Sequence, residues 1–451
     1  MNIRASIESD LSDDQPVVLP VEAYISGDYA RQENEKLWGK VWQVACREEE
    51  IPEVGDYYTY EILDESVIVV RTAPDEVKAF YNVCQHRGRR LTEGCGRTKQ
   101  FFCRFHGWRW DINGENAFVL DKQDWGTALN PDNLRLKPVK VDRWGGYVFI
   151  NLDPDCEPLE TFLDPAAFWL DPFELEKMRY RWRQWLYFPC NWKVALEAFM
   201  EGYHTLGTHP QLGNFGFGST WSRAHGKHSV FGTGTREGVG KTGGGTTSML
   251  GDAPEDSRTF VADYMTHLYE TVNANTTETI VNAAKRLVDV LPKTATPDEA
   301  VAKMMELAHE DDAARGVVWP QIDPEHFAQS GIDWHVFPNT IILHGVTFIL
   351  GYRARPHGYD PDSCIFEVYV LERFPEGEVP QTEWVYQPDQ TEEKWRLVLT
   401  QDFSNMAEVQ KGLKSRGFVG PRPNPVQEQA VINFHHNLAE YMGTGAPKPY
   451  P

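Results

Sequence analysis

The sequence predicts an α+β protein with two unlike parts. An all-β domain is expected over residues 41–153. A larger domain is expected over 154–451, with an antiparallel sheet wrapped on long helices. Three observations carry this. Between Trp42 and Leu152, runs rich in β-branched and aromatic residues alternate with Gly, Pro and Asp turns. Residues 153–176 are rich in Pro and Asp and read as a domain junction. Beyond the junction, strand-like runs and helical periodicities mix. The chain has 451 residues, 41% of them hydrophobic and 12% aromatic, enough for two or three domains.

The elements follow in order. Residues 1–40 read as an arm and a helix from Tyr29 to Trp38. Residues 56–62, 66–71, 77–83 and 145–151 read as strands. Tyr180 to Phe188 alternates aromatic and polar residues, as a strand does. Asn191 to His204 reads as a helix. Thr296-Pro297-Asp298-Glu299 is a capping box with Pro at the first helical position, opening a helix to about His309. Residues 338–350 and 364–374 read as long strands, and Thr391 to Ser415 as a long amphipathic helix. A last helix is expected from Pro425 to Tyr441. The Gly-rich loop at 232–251 contains Gly238-Val239-Gly240-Lys241-Thr242, but Thr235 stands where a phosphate-binding loop needs glycine.

Composition narrows the function. The net charge of −22 argues against nucleic acid and anionic membrane surfaces as partners. No apolar stretch is long enough to span a membrane. The acidic, polar start of the chain is not expected to be a signal peptide. Seven scattered cysteines suggest a reducing compartment, so a cytoplasmic protein is expected. One window runs against the overall charge. Between Cys84 and Trp110 there are seven basic residues and a single acid, Glu93. This is either a solvated loop pair or a docking face for an acidic electron donor.

Two cysteine–histidine pairs stand in that window: Cys84-Gln85-His86 and Cys103-Arg104-Phe105-His106, with sixteen residues between them. Two thiolates and two imidazoles at this spacing suit a Rieske 2Fe–2S centre. Zinc takes the same ligand types and is the competing reading. A second constellation is Glu201-Gly202-Tyr203-His204 with His209. Its histidines are five apart rather than four, and Gly207 can unwind the helix end so that they converge. Two histidines and one carboxylate form the facial triad of Fe(II) and O2 chemistry.

The stretches Asn82-x-Cys84-x-His86-Arg87-Gly88 and Cys103-x-x-His106-Gly107-Trp108 resemble the Rieske domain of the Rieske non-haem iron oxygenases. Asn191-Trp192-Lys193 with Glu201 to His209 resembles the catalytic helix of the same family. The resemblance implies a terminal oxygenase alpha subunit, similar to aromatic-ring-hydroxylating dioxygenases, with a helix-grip catalytic fold. It implies that Cys84, His86, Cys103 and His106 hold the 2Fe–2S cluster. It places mononuclear Fe(II) at His204, His209 and Asp402, the last within Gln401-Asp402-Phe403-Ser404-Asn405-Met406. Asp389, Glu392 and Glu393 are rivals for the third position. Glu201, where Asp is commoner, is given the role of an electron bridge between subunits. A ferredoxin or flavin reductase would supply electrons from NAD(P)H, and O2 would be the co-substrate. The assembly would be a homotrimer or a multiple of three, and a small beta subunit is left open.

Hydroxylation of an aromatic substrate is the first functional reading. O- or N-demethylation on the same machinery is the second, and a zinc-binding module is the non-enzyme alternative. Phe199, Leu206, Phe215, Phe217 and Ile342 are the candidate pocket residues. Arg353 and Arg355, two apart on a strand, are candidates to clamp a substrate carboxylate. The helical, Gly-rich insertion at 213–330 is the part least covered by the resemblance.

Overall fold

The computed structural model describes residues 15–213, 220–233 and 255–450. The chain divides into two compact units. One runs from Arg31 to Phe162, and the other starts at Leu163 and takes in the segment that ends at Ala30. The boundaries expected at 41 and 153 fall inside the edges of the first unit. Most of the 232–251 loop, and Phe215 and Phe217, lie outside the described residues.

The first unit contains β1 (Gln43–Arg47), β2 (Asp56–Ile62), β3 (Glu65–Ala73), β4 (Glu76–Tyr81), β5 (Cys95–Arg97), β6 (Gln100–Phe102), β7 (Arg109–Asp111), β8 (Asn116–Phe118), β9 (Pro138–Trp144) and β10 (Tyr147–Asn151). Seven strands make one sheet in the order β1-β10-β9-β4-β3-β2-β5, and β6-β7-β8 make a second. Val67, Ile68, Val69 and Val70 of β3 are all fully buried. This strand is covered on both faces, so it reads as an unbroken apolar run rather than an alternation. Ile68, Val70 and Phe80 join Phe101, Trp108, Trp110 and the side chains of Cys84 and Cys103 in one core cluster. The indole N–H of Trp110 donates to the Leu134 carbonyl at 2.7 Å, so its polar atom is not stranded by burial.

The second unit contains β11 (Arg179–Phe188), β12 (Thr220–His225), β13 (His228–Thr233), β14 (Asp333–Val336), β15 (Thr340–His344), β16 (Phe348–Pro356), β17 (Cys364–Glu372) and β18 (Val385–Tyr386). Their order is β12-β13-β14-β15-β16-β17-β11-β18. Neighbours are antiparallel except at the edge, where β18 runs parallel to β11 with Gln184 opposite Val385. The sheet is therefore mixed rather than wholly antiparallel. The strand expected over 338–350 is two strands, β15 and β16. Gly345 turns the chain between them, its N–H bonding the Phe348 carbonyl at 2.9 Å.

The helices that matter here are α1 (Trp192–Glu197), α2 (Ser257–Thr271), α3 (Glu278–Lys285), α4 (Pro297–Ala314), α5 (Glu392–Gly412) and α6 (Gln429–Met442). The Thr296/Glu299 capping box is formed at the start of α4. Val261, Ile280, Ala284, Leu287, Ala300 and Met304 bind α2, α3 and α4 into their own core. Helix α5 is kinked at Arg396, which has a φ of +66°. Among the described residues, no helix is long and apolar enough to cross a membrane.

Arg353 and Arg355 are not a substrate clamp. Both are buried and both bond Glu367, which is opposite Arg353 across β16 and β17. Burial alone would raise the Glu367 carboxyl, but the two guanidinium groups bring it down to about 2. Glu367→Gln would leave two buried cations short of their counter-charge. It is expected to cost about 3–5 kcal/mol of stability, measured by denaturant unfolding.

Candidate metal centres and substrate cavity

In the first unit the two Cys/His pairs occupy the loops β4–β5 and β6–β7. Both loops close in the same way. Cys84 N–H donates to the Arg89 carbonyl at 2.9 Å, and Gly88 N–H to the Cys84 carbonyl at 3.0 Å. Cys103 N–H donates to the Trp108 carbonyl at 2.8 Å, and Gly107 N–H to the Cys103 carbonyl at 2.9 Å. Gly88 and Gly107 have φ of +74° and +78°, a conformation that strains other residues. The difference between C-x-H and C-x-x-H thus changes where each imidazole leaves the turn, not the turn itself.

The rings of His86 and His106 are 4.5 Å apart. Trp108 stacks on His86 at 4.9 Å. Nδ1 of each histidine is shielded from solvent and has no hydrogen-bond partner. Burial pushes the Cys84 thiol up and the neighbouring Cys103 raises it further, while the N–H groups of His86 and Arg87 point at its sulfur. Two adjoining buried thiols and two unpartnered imidazole nitrogens are an incomplete site, because buried polar atoms without partners are costly. A 2Fe–2S group with two thiolate and two imidazole ligands fits this donor set.

In the second unit, Asn191 caps α1 by accepting the Lys193 N–H. The helix expected to reach His204 stops at Glu197. The N–H groups of Phe199 and Met200 bond only three residues back, to Leu196 and Glu197, which tightens and ends it. Gly202 then lies against Thr220, where a Cβ would meet a methyl group at 2.5 Å. A single helical turn follows at Thr205–Thr208. Glu201 precedes that turn and binds its N-cap residue, His204. Its Oε2 accepts the His204 N–H at 2.9 Å, and its Oε1 is 2.8 Å from His204 Nδ1.

His209 is held in a similar way by a residue that sequence reasoning missed. Its Nδ1 is 2.8 Å from Gln401 Oε1, which also accepts from Gln211 Nε2 at 2.8 Å. Both partners are acceptor oxygens, so each ring carries its proton on Nδ1 and keeps the Nε2 lone pair for a metal. Asp402 reaches the same point from α5. Its Oδ1 is 2.9 Å from His209 Nε2 and 3.7 Å from His204 Nε2. The ligand atoms of the three residues all lie within 4.8 Å of one another. Asp389, Glu392 and Glu393 are exposed. Burial would lower His204, but the Glu201 and Asp402 carboxylates outweigh it and raise it to about 9. This is a site built to hold positive charge, and two imidazoles with one carboxylate fit a mononuclear iron.

A cavity of about 270 Å³ opens beside the triad. Phe199 lines it and stacks on Tyr352 at 3.8 Å. Leu206 and Ile342 are not among its lining residues. Thr205 and His209, four apart, present one side of their turn to the cavity, and Leu206 is on another. Ile342 is opposite Gly351, whereas its neighbour Leu343 is opposite Leu350 on the cavity face. A second opening of about 250 Å³ reaches Glu201, His204 and Asp402 and is lined also by Glu197 and Glu428. Burial, then Glu201, push the Glu428 carboxyl up to about 7.

Residues 173–444 match the family described as "Ring hydroxylating alpha subunit (catalytic domain)". Residues 41–121 match the Rieske [2Fe-2S] domain. The chain therefore belongs to the Rieske non-haem iron oxygenase alpha subunits, and its cofactors are a Rieske cluster and a mononuclear iron at His204, His209 and Asp402. It is similar to a glycine betaine monooxygenase oxygenase subunit of Pseudomonas aeruginosa, at 30% identity over 46% of this chain and 48% of that protein. It is similar to the biphenyl 2,3-dioxygenase alpha subunit of Rhodococcus jostii, at 31% identity over 45% of each. The chain spans about half the length of the curated relatives it matches. Two solved structures share the fold. The quaternary ammonium Rieske monooxygenase CntA with L-carnitine has a TM-score of 0.63 at 19% identity, over 96% of this chain and 97% of that one. Naphthalene 1,2-dioxygenase with indole has a TM-score of 0.62 at 16% identity, over 95% and 93%.

Proposed function

We propose that this chain is the terminal oxygenase component of a multi-protein system and oxygenates a small aromatic substrate with electrons from a ferredoxin or flavin reductase. The observation that carries this is the His204/His209/Asp402 triad set beside a largely apolar cavity. When bound, the two metal groups supply electron transfer and O2 activation. The chain's residues do the rest. Glu201 and Gln401 fix the histidine tautomers. Phe199, Phe231, Phe348 and Tyr352 line the cavity, where they would orient a ring and exclude water.

Glu201 lines both openings. That position supports a role linking His204 to His106 of the partner subunit, in a homotrimer or a multiple of three. The seven basic residues between Cys84 and Trp110 are all exposed. Arg90 and Arg97 are paired with Glu61 and Asp56. The others support docking of an acidic electron donor. A second reading, O- or N-demethylation, draws support from Glu201 itself, which stands where the family more commonly carries Asp. Turnover of a substrate panel with a surrogate reductase, NADH and isotope-labelled O2 separates the two by product mass. A hydroxylated ring retains its label, and demethylation releases formaldehyde. Absence of labelled product and of formaldehyde across the panel would count against the oxygenase reading.

A further inference from the structure

Three residues of the cavity wall, Asp333, Asn275 and His344, have shielded polar atoms without a hydrogen-bond partner, which its apolar character does not explain. Register places Phe231, Asp333, Leu343 and Leu350 in a single row across β13, β14, β15 and β16. All four line the cavity. Asp333 is therefore a carboxyl in the middle of an apolar row, and it is 3% exposed. Its Oδ1 has no hydrogen-bond partner. No cation pairs with it among the described residues; the only charge that reaches it is that of His204. A second cavity residue, Asn275, also has a shielded Oδ1 without a partner.

A buried acceptor without a donor is costly, and a buried carboxylate more so, unless the missing partner arrives with a ligand. We infer that Asp333 anchors a substrate that carries an ammonium N–H group. An unpartnered carboxylate oxygen calls for a donor that brings positive charge, and a primary ammonium offers three N–H groups with it. A hydrocarbon offers none, and a quaternary ammonium offers charge but no N–H. Burial pushes the Asp333 carboxyl well above its ordinary value, the cost of a charge held without a partner. A substrate cation would offset that cost. Asp333 is a specificity residue in this scheme, and the aromatic wall holds the remainder of the molecule.

The inference rests on the cavity being the substrate site. Its test is binding alone, under nitrogen, with the metal-loaded full chain and three probes of matched shape: benzylamine, toluene and benzyltrimethylammonium. Calorimetric titration is expected to show benzylamine binding at least about tenfold tighter than the other two, as a charge-assisted hydrogen bond implies. Asp333→Asn is expected to remove that preference and leave toluene binding unchanged. Equal affinity of the wild-type chain for all three probes, including none measurable, overturns the inference and needs no variant. Equal binding of benzylamine and benzyltrimethylammonium overturns it as well, since charge alone would then suffice. So does a preference that survives in Asp333→Asn. No turnover is involved, so the result stands apart from the product-mass experiment.

Discussion

Asp402→Ala is expected to abolish substrate oxygenation and to empty the mononuclear site while leaving the visible spectrum of the Rieske cluster intact. The triad has one anionic member, and Asp402 is it. Without it, two imidazoles remain, held in place by Glu201 and Gln401 but too few to keep a divalent ion in a buried pocket. The Rieske ligands belong to the other compact unit, so the cluster should persist. Iron analysis per chain, read against cluster absorbance, separates the two sites. Full iron content with retained turnover would mean that another carboxylate is the third ligand. Among the described residues, Asp402 is the carboxylate that groups with His204 and His209.

Glu201→Gln is expected to keep both metal groups and still lower coupled turnover by about 10- to 100-fold, in the range found when a residue orienting a metal ligand is lost. The amide oxygen can still accept from His204 Nδ1, so the tautomer and the ligand survive. What disappears is the negative charge between His204 and the second opening. The measurement is the rate at which reduced cluster is reoxidised in the presence of substrate and O2, with iron content as the control. A variant that matches the wild type in this rate would remove Glu201 from the electron path.

Legibility in the sequence followed the range of each interaction. The Cys84/His86 and Cys103/His106 loops are local turns, so their residues appear together in the chain. Glu201, His204 and His209 lie within one short stretch, and Asp402 sits in a recognisable helix. Gln401 is not legible although it is beside Asp402, because only the folded chain shows that it faces His209. Asp333 had no local signal at all. Its meaning comes from the row it shares with Phe231, Leu343 and Leu350, and such rows depend on strand register. The same dependence explains why the sequence points to Ile342 for the pocket and not to Leu343. The turn at Gly345 is hidden because the apolar residues on both sides of it continue a strand pattern. Arg353 and Arg355 do share a face, but the partner that occupies them, Glu367, is on another strand.

The triad has a mechanical side. His204 and His209 stand just after β11 and α1, and Asp402 stands on α5, so the ligand set spans most of the sheet in sequence. An ion held by all three joins the two ends of that long segment. Its removal would free a large loop and return conformational entropy to the unfolded chain. Metal-free preparations should therefore melt earlier than loaded ones, by an amount that depends on free iron concentration. The catalytic metal doubles as a clasp on the fold.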